Sequence, residues 1–197
     1  TYIDDSMLAT ARQFVDSEGL GNVVLMKDDL FASKLESSSF DLVHARFQIA
    51  PLGRGSDQIA NHVRLLRPGG TVALEEWDVS SWNFNPPVRA LDSLVELIGQ
   101  SFAQSGGDMH VGLKLLDLLR GVGVEGNVRS EVLALPPGHP YLRLPLQFAA
   151  ALEERLLSIV TVDELEQLRK ECDAELDEPG RWGTTFTLVQ CWGQSAA

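Results

Sequence analysis

Short apolar runs alternate with a helical pattern through the first half of the chain. Residues 40–45 form a short, mainly apolar stretch, and residues 71–74 form an apolar run. Between them, residues 56–66 carry apolar side chains three or four positions apart, which predicts a helix with one buried face. A strand, a helix and a second strand in this order predict a crossover that joins two parallel neighbouring strands.

Polar residues follow both predicted strands. His44 and Arg46 end the first strand, and Glu75, Glu76 and Asp78 end the second. Ligands of parallel sheets bind beyond the carboxyl ends of the strands, so we expect these residues on the functional edge. The Pro-Gly-Gly run between helix and strand predicts a turn. It is not a phosphate-binding loop, because no Lys-Ser or Lys-Thr pair follows it.

The rest of the pattern predicts one α/β domain over residues 1–197. Thr161 and Glu164 have the spacing of a capping box, which marks a helix start. The pattern predicts helices over 7–15, 86–102, 108–119 and 141–159 and from 161 onward, and strands over 23–26, 128–135 and 186–192.

Composition narrows the class of partner. The chain has 197 residues, 44% of them hydrophobic, which is enough for a sizeable core, and a net charge of −12. Nucleic-acid binding needs clustered Lys and Arg, and the sequence has no such cluster, so we expect no nucleic-acid partner. A small molecule is the expected partner, and a homodimer stays open.

Cysteine content and hydropathy indicate the cellular compartment in which we expect the protein. Two cysteines, Cys172 and Cys191, do not make a disulfide framework, which favours a reducing, cytoplasmic setting. No apolar run approaches the roughly 20 residues of a membrane span, and no signal peptide opens the sequence. We therefore expect no membrane association.

Two segments together resemble a known family. "SFDLVHARF", followed by "LLRPGGTVALEEWD", is similar to the class I S-adenosylmethionine-dependent methyltransferases, especially small-molecule enzymes of the ubiquinone/menaquinone and natural-product type. The resemblance implies a three-layer α/β sandwich with a mostly parallel, Rossmann-like, seven-stranded sheet whose last strand is antiparallel. It also implies S-adenosylmethionine as cofactor and methyl transfer to a small organic acceptor, which we expect to belong to secondary metabolism.

The resemblance implies a ribose-binding carboxylate near the start of the chain. Ile3-Asp4-Asp5-Ser6-Met7-Leu8 matches the family segment in which the acidic residue after a strand holds the ribose hydroxyls. Asp4 is the first choice and Asp5 the second, with Met7 beside them. Asp4 has an alternative role, since an Asp before a helix also serves as an N-cap.

The resemblance places the adenine site after the predicted strand 23–26. In the family an Asp there accepts from the adenine amino group, and Asp29 followed by Leu30 fits. Asp28 stands where relatives usually carry Gly, so the assignment between Asp28 and Asp29 stays open. A solvated acidic turn is the alternative. Ala45 and Arg46, at the end of the strand 40–45, complete the predicted cofactor site.

The predicted acceptor site combines histidines with an aromatic loop. His44 and His110 are the candidate bases, because their ordinary pKa lies near neutrality. The alternative for His44 is a hydrogen-bonded structural role, and the alternative for His110 is a merely exposed position at a helix start. Relatives carry a Gly-Asp-x-x-x-Gly signature where this chain has residues 107–112. Substrate contacts are predicted for Trp77, Trp82, Phe84 and Met109, although the aromatic loop suits core packing equally well. No metal site is predicted.

The family's first strand and its Gly-x-Gly-x-Gly loop are absent from the sequence. Their absence would split the sheet and expose strand edges, so we expect residues 1–197 to be part of a longer chain, with Thr1 and Tyr2 from a separate upstream segment. An inactive fragment is the alternative. Two other functions stay open as well: an NAD(P)-dependent oxidoreductase of similar layering, and a non-catalytic methyltransferase-like binding domain.

Overall fold

A computed structural model describes Thr1 and residues 4–196. The helices are α1 (Asp5–Ser17), α2 (Ile49–Leu52), α3 (Gly55–Leu65), α4 (Arg89–Ala103), α5 (Leu115–Gly121), α6 (Leu144–Ala151), α7 (Glu153–Leu156) and α8 (Val162–Leu176). The strands are β1 (Phe40–Arg46), β2 (Leu66–Asp78), β3 (Phe84–Asn85), β4 (Gly126–Glu131), β5 (Ala134–Leu135), β6 (Trp182–Thr184) and β7 (Thr187–Gln194). Short 3-10 helices cover Val79–Ser81, Val111–Lys114 and Pro140–Arg143.

The main described sheet has the strand order β1-β2-β7-β4. β1 and β2 are parallel and joined by α3, with Arg46 beside Glu75, which confirms the predicted crossover. β7 runs antiparallel to both β2 and β4, which confirms the antiparallel last strand. β3, β6 and β5 form a small second sheet.

Helices lie on both sides of the sheet, and the predicted α/β class is confirmed. α3 and α5 pack on each other and against the main sheet, whereas α4 packs among α2, α6, α7 and α8. The strand count differs from the expected seven, because the main sheet of the described part has four strands, of which only β1 and β2 are parallel neighbours. The predicted capping box at Thr161 is present and starts α8.

Three predicted elements differ from the structure. Residues 23–26 form no strand, and Val24 is 82% exposed. An apolar run forms a strand only when a neighbouring strand accepts its backbone hydrogen bonds. In the described part, β1 is the edge strand of the main sheet, and residues 23–26 do not pair with it. The predicted strand 128–135 is split into β4 and β5, and the predicted helix 141–159 into α6 and α7.

The first helix is present, but its apolar face is not buried. α1 confirms the helix predicted over 7–15, yet none of its described side chains is buried, and Met7 and Phe14 are exposed. The periodicity of the sequence therefore gave the helix correctly without giving its packing partner. The strand end predicted at Ile3 lies outside the described residues.

An aromatic cluster forms the centre of the core at the carboxyl end of β2. The ring of Trp77 lies 4.9 Å from Phe148, 5.2 Å from Phe186, 5.6 Å from Phe102 and 5.7 Å from Phe47, between centroids. The pairs with Phe148 and Phe186 are edge-to-face, the arrangement favoured by ring quadrupoles. This cluster fixes the end of β2 against the helices that cover it.

Glu76 connects the end of β2 to the chain that leaves β1. The carboxylate is 2% exposed and accepts three backbone N–H bonds: from Gln48 (2.8 Å), Ile49 (2.6 Å) and Ala50 (3.2 Å). These N–H groups lie at the start of α2, where no preceding helical turn provides a carbonyl to accept their hydrogen bonds. Burial raises the pKa of Glu76 to about 7, although the three N–H bonds oppose the rise.

Close backbone contacts dock residues 107–112 over the same strand end. The Asp108 N–H donates to the Ala50 carbonyl (2.9 Å), and the Val79 N–H donates to the Met109 carbonyl (3.2 Å). A Cβ on Gly107 would lie 2.2 Å from the Ala50 oxygen, and a Cβ on Gly112 would lie 2.8 Å from the Trp77 oxygen. Both glycines of the Gly-Asp-x-x-x-Gly signature are thus required by backbone approach.

We predict that Glu76→Gln flattens the pH dependence of stability. The folded pKa of about 7 lies above the ordinary value of 4.5, so the folded state retains a proton that the unfolded chain releases. The contribution to stability is complete below pH 4.5 and is lost as the pH rises through about 7, amounting to about 3 kcal/mol. Urea denaturation at a series of pH values should show this slope in the parent protein and a shallower one in the variant. The exposed Glu96→Gln serves as control and should keep the slope; a variant as steep as the parent would contradict the assignment.

We predict that Gly112→Ala lowers the free energy of unfolding by about 2 kcal/mol or more, because the new methyl group collides with the Trp77 backbone. The matched control is Gly121→Ala at the end of α5, where an added Cβ meets no atom within 4 Å. That control should be neutral or stabilising by up to about 1 kcal/mol. Equal stabilities of the two variants in chemical denaturation would show that the close approach is unimportant.

Candidate functional site

A cleft of about 560 Å³ runs along the side of β1 that faces away from β2. Its walls are β1, side chains of the segment 28–35, and the face of α3 that carries Asn61 and His62. We name it the β1 cleft. It contains five of the residues predicted for the cofactor or for catalysis: Asp28, Leu30, His44, Ala45 and Arg46.

Two arginines attach the wall segment 28–37 to the rest of the fold. Arg64 of α3 donates to the Leu35 carbonyl (3.2 Å) and to the Ser37 hydroxyl (2.7 Å). The guanidinium of Arg54 lies 4.2 Å from the centre of the Phe31 ring, a cation–π contact. The wall therefore has a defined position although it contains no regular strand.

The two candidate adenine-binding carboxylates have different surroundings. Asp28 lines the β1 cleft and accepts from the Ser33 hydroxyl (2.6 Å) and the Lys34 N–H (3.0 Å). Burial alone would raise the pKa of Asp28, but these hydrogen bonds lower it below its ordinary value. Asp29 accepts from the Phe31 N–H (2.9 Å) and thereby shapes the turn. The geometry favours Asp28 over Asp29 as the carboxylate that meets a ligand.

The cleft also contains polar groups that sequence reasoning missed. His62 is buried, and burial lowers its pKa to about 4, so its imidazole is neutral at pH 7. Within the described part of the chain, His62 Nε2 and Gln48 Oε1 are buried without a hydrogen-bond partner. His62 follows Ile59 by three positions in α3, so helical spacing could have placed it on the inner face. Unpaired buried polar atoms in a cleft are suited to a ligand that supplies the missing hydrogen bonds.

His110 lies at the end of β2 with a carboxylate against its ring. Its Nδ1 is 2.7 Å from Asp78 Oδ1, and the Ser80 hydroxyl donates to the same oxygen (3.1 Å). Asp78 is buried, whereas the His110 side chain is 53% exposed. The His110 backbone N–H donates to the Asp108 carboxylate (2.8 Å), which also accepts a hydrogen bond from the Lys114 ammonium group (2.6 Å).

Within Thr1 and residues 4–196, His44 has no comparable partner. Its Nε2 is 3.7 Å from Glu75 Oε1, beyond hydrogen-bond distance, while Arg46 Nε lies 3.2 Å from the other Glu75 oxygen. Arg46 also lies over the Phe47 ring, at 4.8 Å. His44 therefore lies in the β1 cleft beside an Arg–Glu pair, apart from the pair of Asp78 and His110.

The cleft and the Asp78–His110 pair share one edge of the sheet. Arg46 of the cleft is the sheet neighbour of Glu75, and Asp78 follows three residues later in β2. At the usual rise per residue of a strand, Asp78 is about 10 Å from the end of the cleft. A ligand in the cleft could therefore extend toward His110.

The other predicted cofactor residues lie outside the cleft lining. Asp4 is the N-cap of α1 and accepts from the N–H groups of Ser6 (2.7 Å) and Met7 (3.0 Å). The Ser6 hydroxyl bond, together with these backbone bonds, lowers the pKa of Asp4. Asp5 pairs with Lys27 at 2.6 Å, and the Met7 side chain is exposed. The capping alternative for Asp4 is thus observed, and the ribose role of Asp4 and Asp5 stays a prediction.

The four predicted substrate residues are packed into the core. Trp77, Trp82, Phe84 and Met109 are all buried, so the packing alternative for the aromatic loop is the one observed. Trp82 packs edge-to-face with Phe148 and Phe186, which share the cluster around Trp77. Alternation along a strand cannot distinguish a ring that faces a ligand from one that faces other rings.

In Thr1 and residues 4–196, no group of three or more His, Cys, Asp or Glu side chains is arranged to hold a metal ion. None of the helices that the structure describes is long and apolar enough to cross a membrane. Cys172 and Cys191 are buried, and burial raises their thiol pKa values to about 12 and about 11.

Comparison with known proteins agrees with the resemblance. Residues 1–74 match a family model described as a methyltransferase domain. The methyltransferase grgD of a Penicillium species is 32% identical over 74 residues, which cover 36% of this chain and 26% of that protein. The match thus spans about a quarter of the curated relative's length.

Solved structures extend the likeness to nearly the whole chain. The Bacillus subtilis YcgJ protein superimposes with a TM-score of 0.62 at 11% identity, covering 99% of this chain and 80% of that one. A Bacillus halodurans protein described as a methyltransferase gives a TM-score of 0.61 at 14% identity, covering 99% and 81%. Identities this low establish the fold alone. The chain therefore has the class I methyltransferase fold, and its residues 1–74 are similar in sequence to the methyltransferase domain family.

Proposed function

We propose that this protein transfers a methyl group from S-adenosylmethionine to a small organic acceptor. The observation that carries the proposal is the β1 cleft, which gathers Asp28, Leu30, Ala45 and Arg46 at the carboxyl edge of the parallel pair. This is the edge where ligands of parallel sheets bind. The match of residues 1–74 to the methyltransferase domain family supports the same activity.

The residues of the cleft fit the adenosine half of the cofactor. The volume of about 560 Å³ lies in the usual range for small-molecule sites. Leu30 and Ala45 offer apolar contact to a flat ring, and the Asp28 carboxylate can accept from an amino group. Gln48 Oε1 and His62 Nε2 are buried without partners in the described structure and can bond to neutral polar groups. These residues would hold S-adenosylmethionine.

The chemistry that follows is modest in its demands. When bound, S-adenosylmethionine supplies an electrophilic methyl group on a sulfonium. The chain must align an acceptor atom with that methyl group and, for an acceptor of high pKa, remove its proton. His110 is the stronger candidate for the base, because a buried carboxylate holds its ring at the sheet edge. His44, inside the cleft, is the second candidate.

The surroundings of His110 restrict the acceptor. Asp78 and Asp108 place two carboxylates beside it, and only Asp108 has a Lys partner in the described contacts. An anionic acceptor would be repelled there, so a neutral or cationic molecule is favoured. A role in secondary metabolism, a cytoplasmic location, a homodimer and the lack of a nucleic-acid partner stay predictions.

Two alternative functions differ from the proposed one, the first in its ligand and the second in turnover. An oxidoreductase of similar layering would bind NAD(P)H, and a non-catalytic domain could bind the cofactor without turning it over. Calorimetric titration with S-adenosylmethionine, S-adenosylhomocysteine and NADPH distinguishes an oxidoreductase from the proposed methyltransferase. Binding of the two adenosyl compounds without NADPH binding supports methyl transfer, whereas binding of NADPH alone contradicts it.

We predict that Asp28→Asn weakens S-adenosylmethionine binding about tenfold. A hydrogen bond to a carboxylate is worth more than one to an amide, and the lost charge corresponds to about 1.4 kcal/mol. Isothermal titration calorimetry measures the change directly. The matched control is Asp29→Asn, which keeps the acceptor for the Phe31 N–H and should bind with unchanged affinity. A larger loss of S-adenosylmethionine affinity for Asp29→Asn than for Asp28→Asn would indicate that Asp29 makes the adenine contact.

We predict that replacement of both candidate bases lowers turnover without changing cofactor affinity. With any acceptor that the protein methylates, His44→Ala with His110→Ala should reduce formation of S-adenosylhomocysteine by about 10²-fold, the usual worth of a general base. His110→Ala alone should account for most of the loss. Full turnover in the double variant would mean that alignment alone is sufficient.

A further inference from the structure

We propose that Asp78 is a positioning residue that holds His110 in the tautomer with the proton on Nδ1, leaving Nε2 as the proton acceptor at the sheet edge. The inference deepens the proposed function and rests on it for the purpose of the base. Neither the sequence pattern nor the resemblance assigned a role to Asp78 beyond its place at the strand end.

The tautomer follows from the chemistry of the contact. Asp78 Oδ1 lies 2.7 Å from His110 Nδ1, a short hydrogen bond. A carboxylate only accepts hydrogen bonds, so Nδ1 must be the donor. A neutral imidazole carries one N–H, and Nε2 is therefore left with its lone pair free. The Ser80 hydroxyl, 3.1 Å from the same oxygen, adds a second donor to the carboxylate.

Both partners of the contact are fixed by the fold. Asp78 is 3% exposed and ends β2, where it is the sheet neighbour of Thr187. The main chain at His110 is held by two bonds: the His110 N–H donates to Asp108, and the Val79 N–H donates to the Met109 carbonyl. Gly112 lets the segment approach the Trp77 carbonyl. The backbone that carries His110 is therefore docked beside Asp78.

The contact also distinguishes the two candidate bases. His44 is 3.7 Å from the nearest Glu75 oxygen, and among the contacts of the described residues no hydrogen bond selects its tautomer. At His110 the buried carboxylate both orients the ring and stabilises the imidazolium that forms when Nε2 takes a proton. The acceptor atom loses its proton to Nε2 as it gains the methyl group, and the methyl–sulfur bond breaks with its electron pair on sulfur.

Nitrogen-15 NMR of the histidine rings tests the inference without any methyl transfer. Spectra are recorded at about pH 8, where an ordinary imidazole is neutral. The chain has four histidines, and the His110 signals are identified by their loss in His110→Gln. The parent protein should show His110 with a protonated Nδ1 and an unprotonated Nε2. An Nε2-protonated His110 in the parent protein overturns the proposal, even if every Asp78 variant fails to fold.

Variants then assign the cause. Asp78→Asn can offer an N–H donor to Nδ1 and should shift His110 toward the Nε2-protonated tautomer by at least several-fold in population. Asp108→Asn is the matched control: Asp108 binds the His110 main chain rather than its ring, so the tautomer should be unchanged. An unchanged tautomer in Asp78→Asn, or an equal shift in both variants, contradicts the role of Asp78.

A binding measurement separates this inference from the proposed function. Asp78→Asn should bind S-adenosylhomocysteine with the affinity of the parent protein, because Asp78 lies outside the β1 cleft lining. If the parent protein binds neither adenosyl compound, the proposed function is contradicted. If His110 has the other tautomer, only the role of Asp78 is contradicted. A Asp78→Asn variant that has lost cofactor affinity as well would show that Asp78 acts on the cleft and would overturn its assignment to His110.

Discussion

A buried carboxylate determines how the functional edge of this protein is assembled. Glu76 accepts three N–H bonds from the start of α2 and so ties the chain leaving β1 to the end of β2. The Ala50 carbonyl, in the segment that Glu76 binds, accepts a hydrogen bond from the Asp108 N–H. This bond places His110 beside Asp78. The burial that raises the pKa of Glu76 to about 7 also makes this connection sensitive to pH. Loss of Glu76 would therefore disturb both the end of the β1 cleft and the pair of Asp78 and His110.

Most of the fold could be predicted because its determinants are local. The crossover from β1 through α3 to β2 and the capping box of α8 follow from periodicity, caps and turn residues. The antiparallel direction of β7 was implied by the family resemblance and not by the pattern. The failures involve partners that are distant in sequence. Residues 23–26 have the composition of a strand but no strand partner in the described part, and α1 has the right period without a buried face. Periodicity specifies which face is apolar, not what covers it.

The residues of the candidate site could be named from the sequence and the resemblance only in part. Asp28, Leu30, Ala45 and Arg46 were expected in the cofactor site and His44 in the acceptor site; all five line one cleft, and their roles stay predictions. The sequence left a pocket and core packing equally open for Trp77 and Trp82, because their burial depends on Phe148 and Phe186 from the second half of the chain. His62 and Gln48, which have buried side-chain atoms without partners in the described part, were missed for the same reason: an unpaired polar atom is recognised only when its neighbours are placed.

We propose that the β1 cleft holds the adenosyl cofactor, and a crystal structure of the protein soaked with S-adenosylhomocysteine tests this placement. Electron density for the adenosine half is expected within the cleft, with the amino group at hydrogen-bond distance from Asp28 and the ring against Leu30 and Ala45. Density for the ligand at another surface, or a cleft that stays empty at saturating ligand, would rule out this cofactor site.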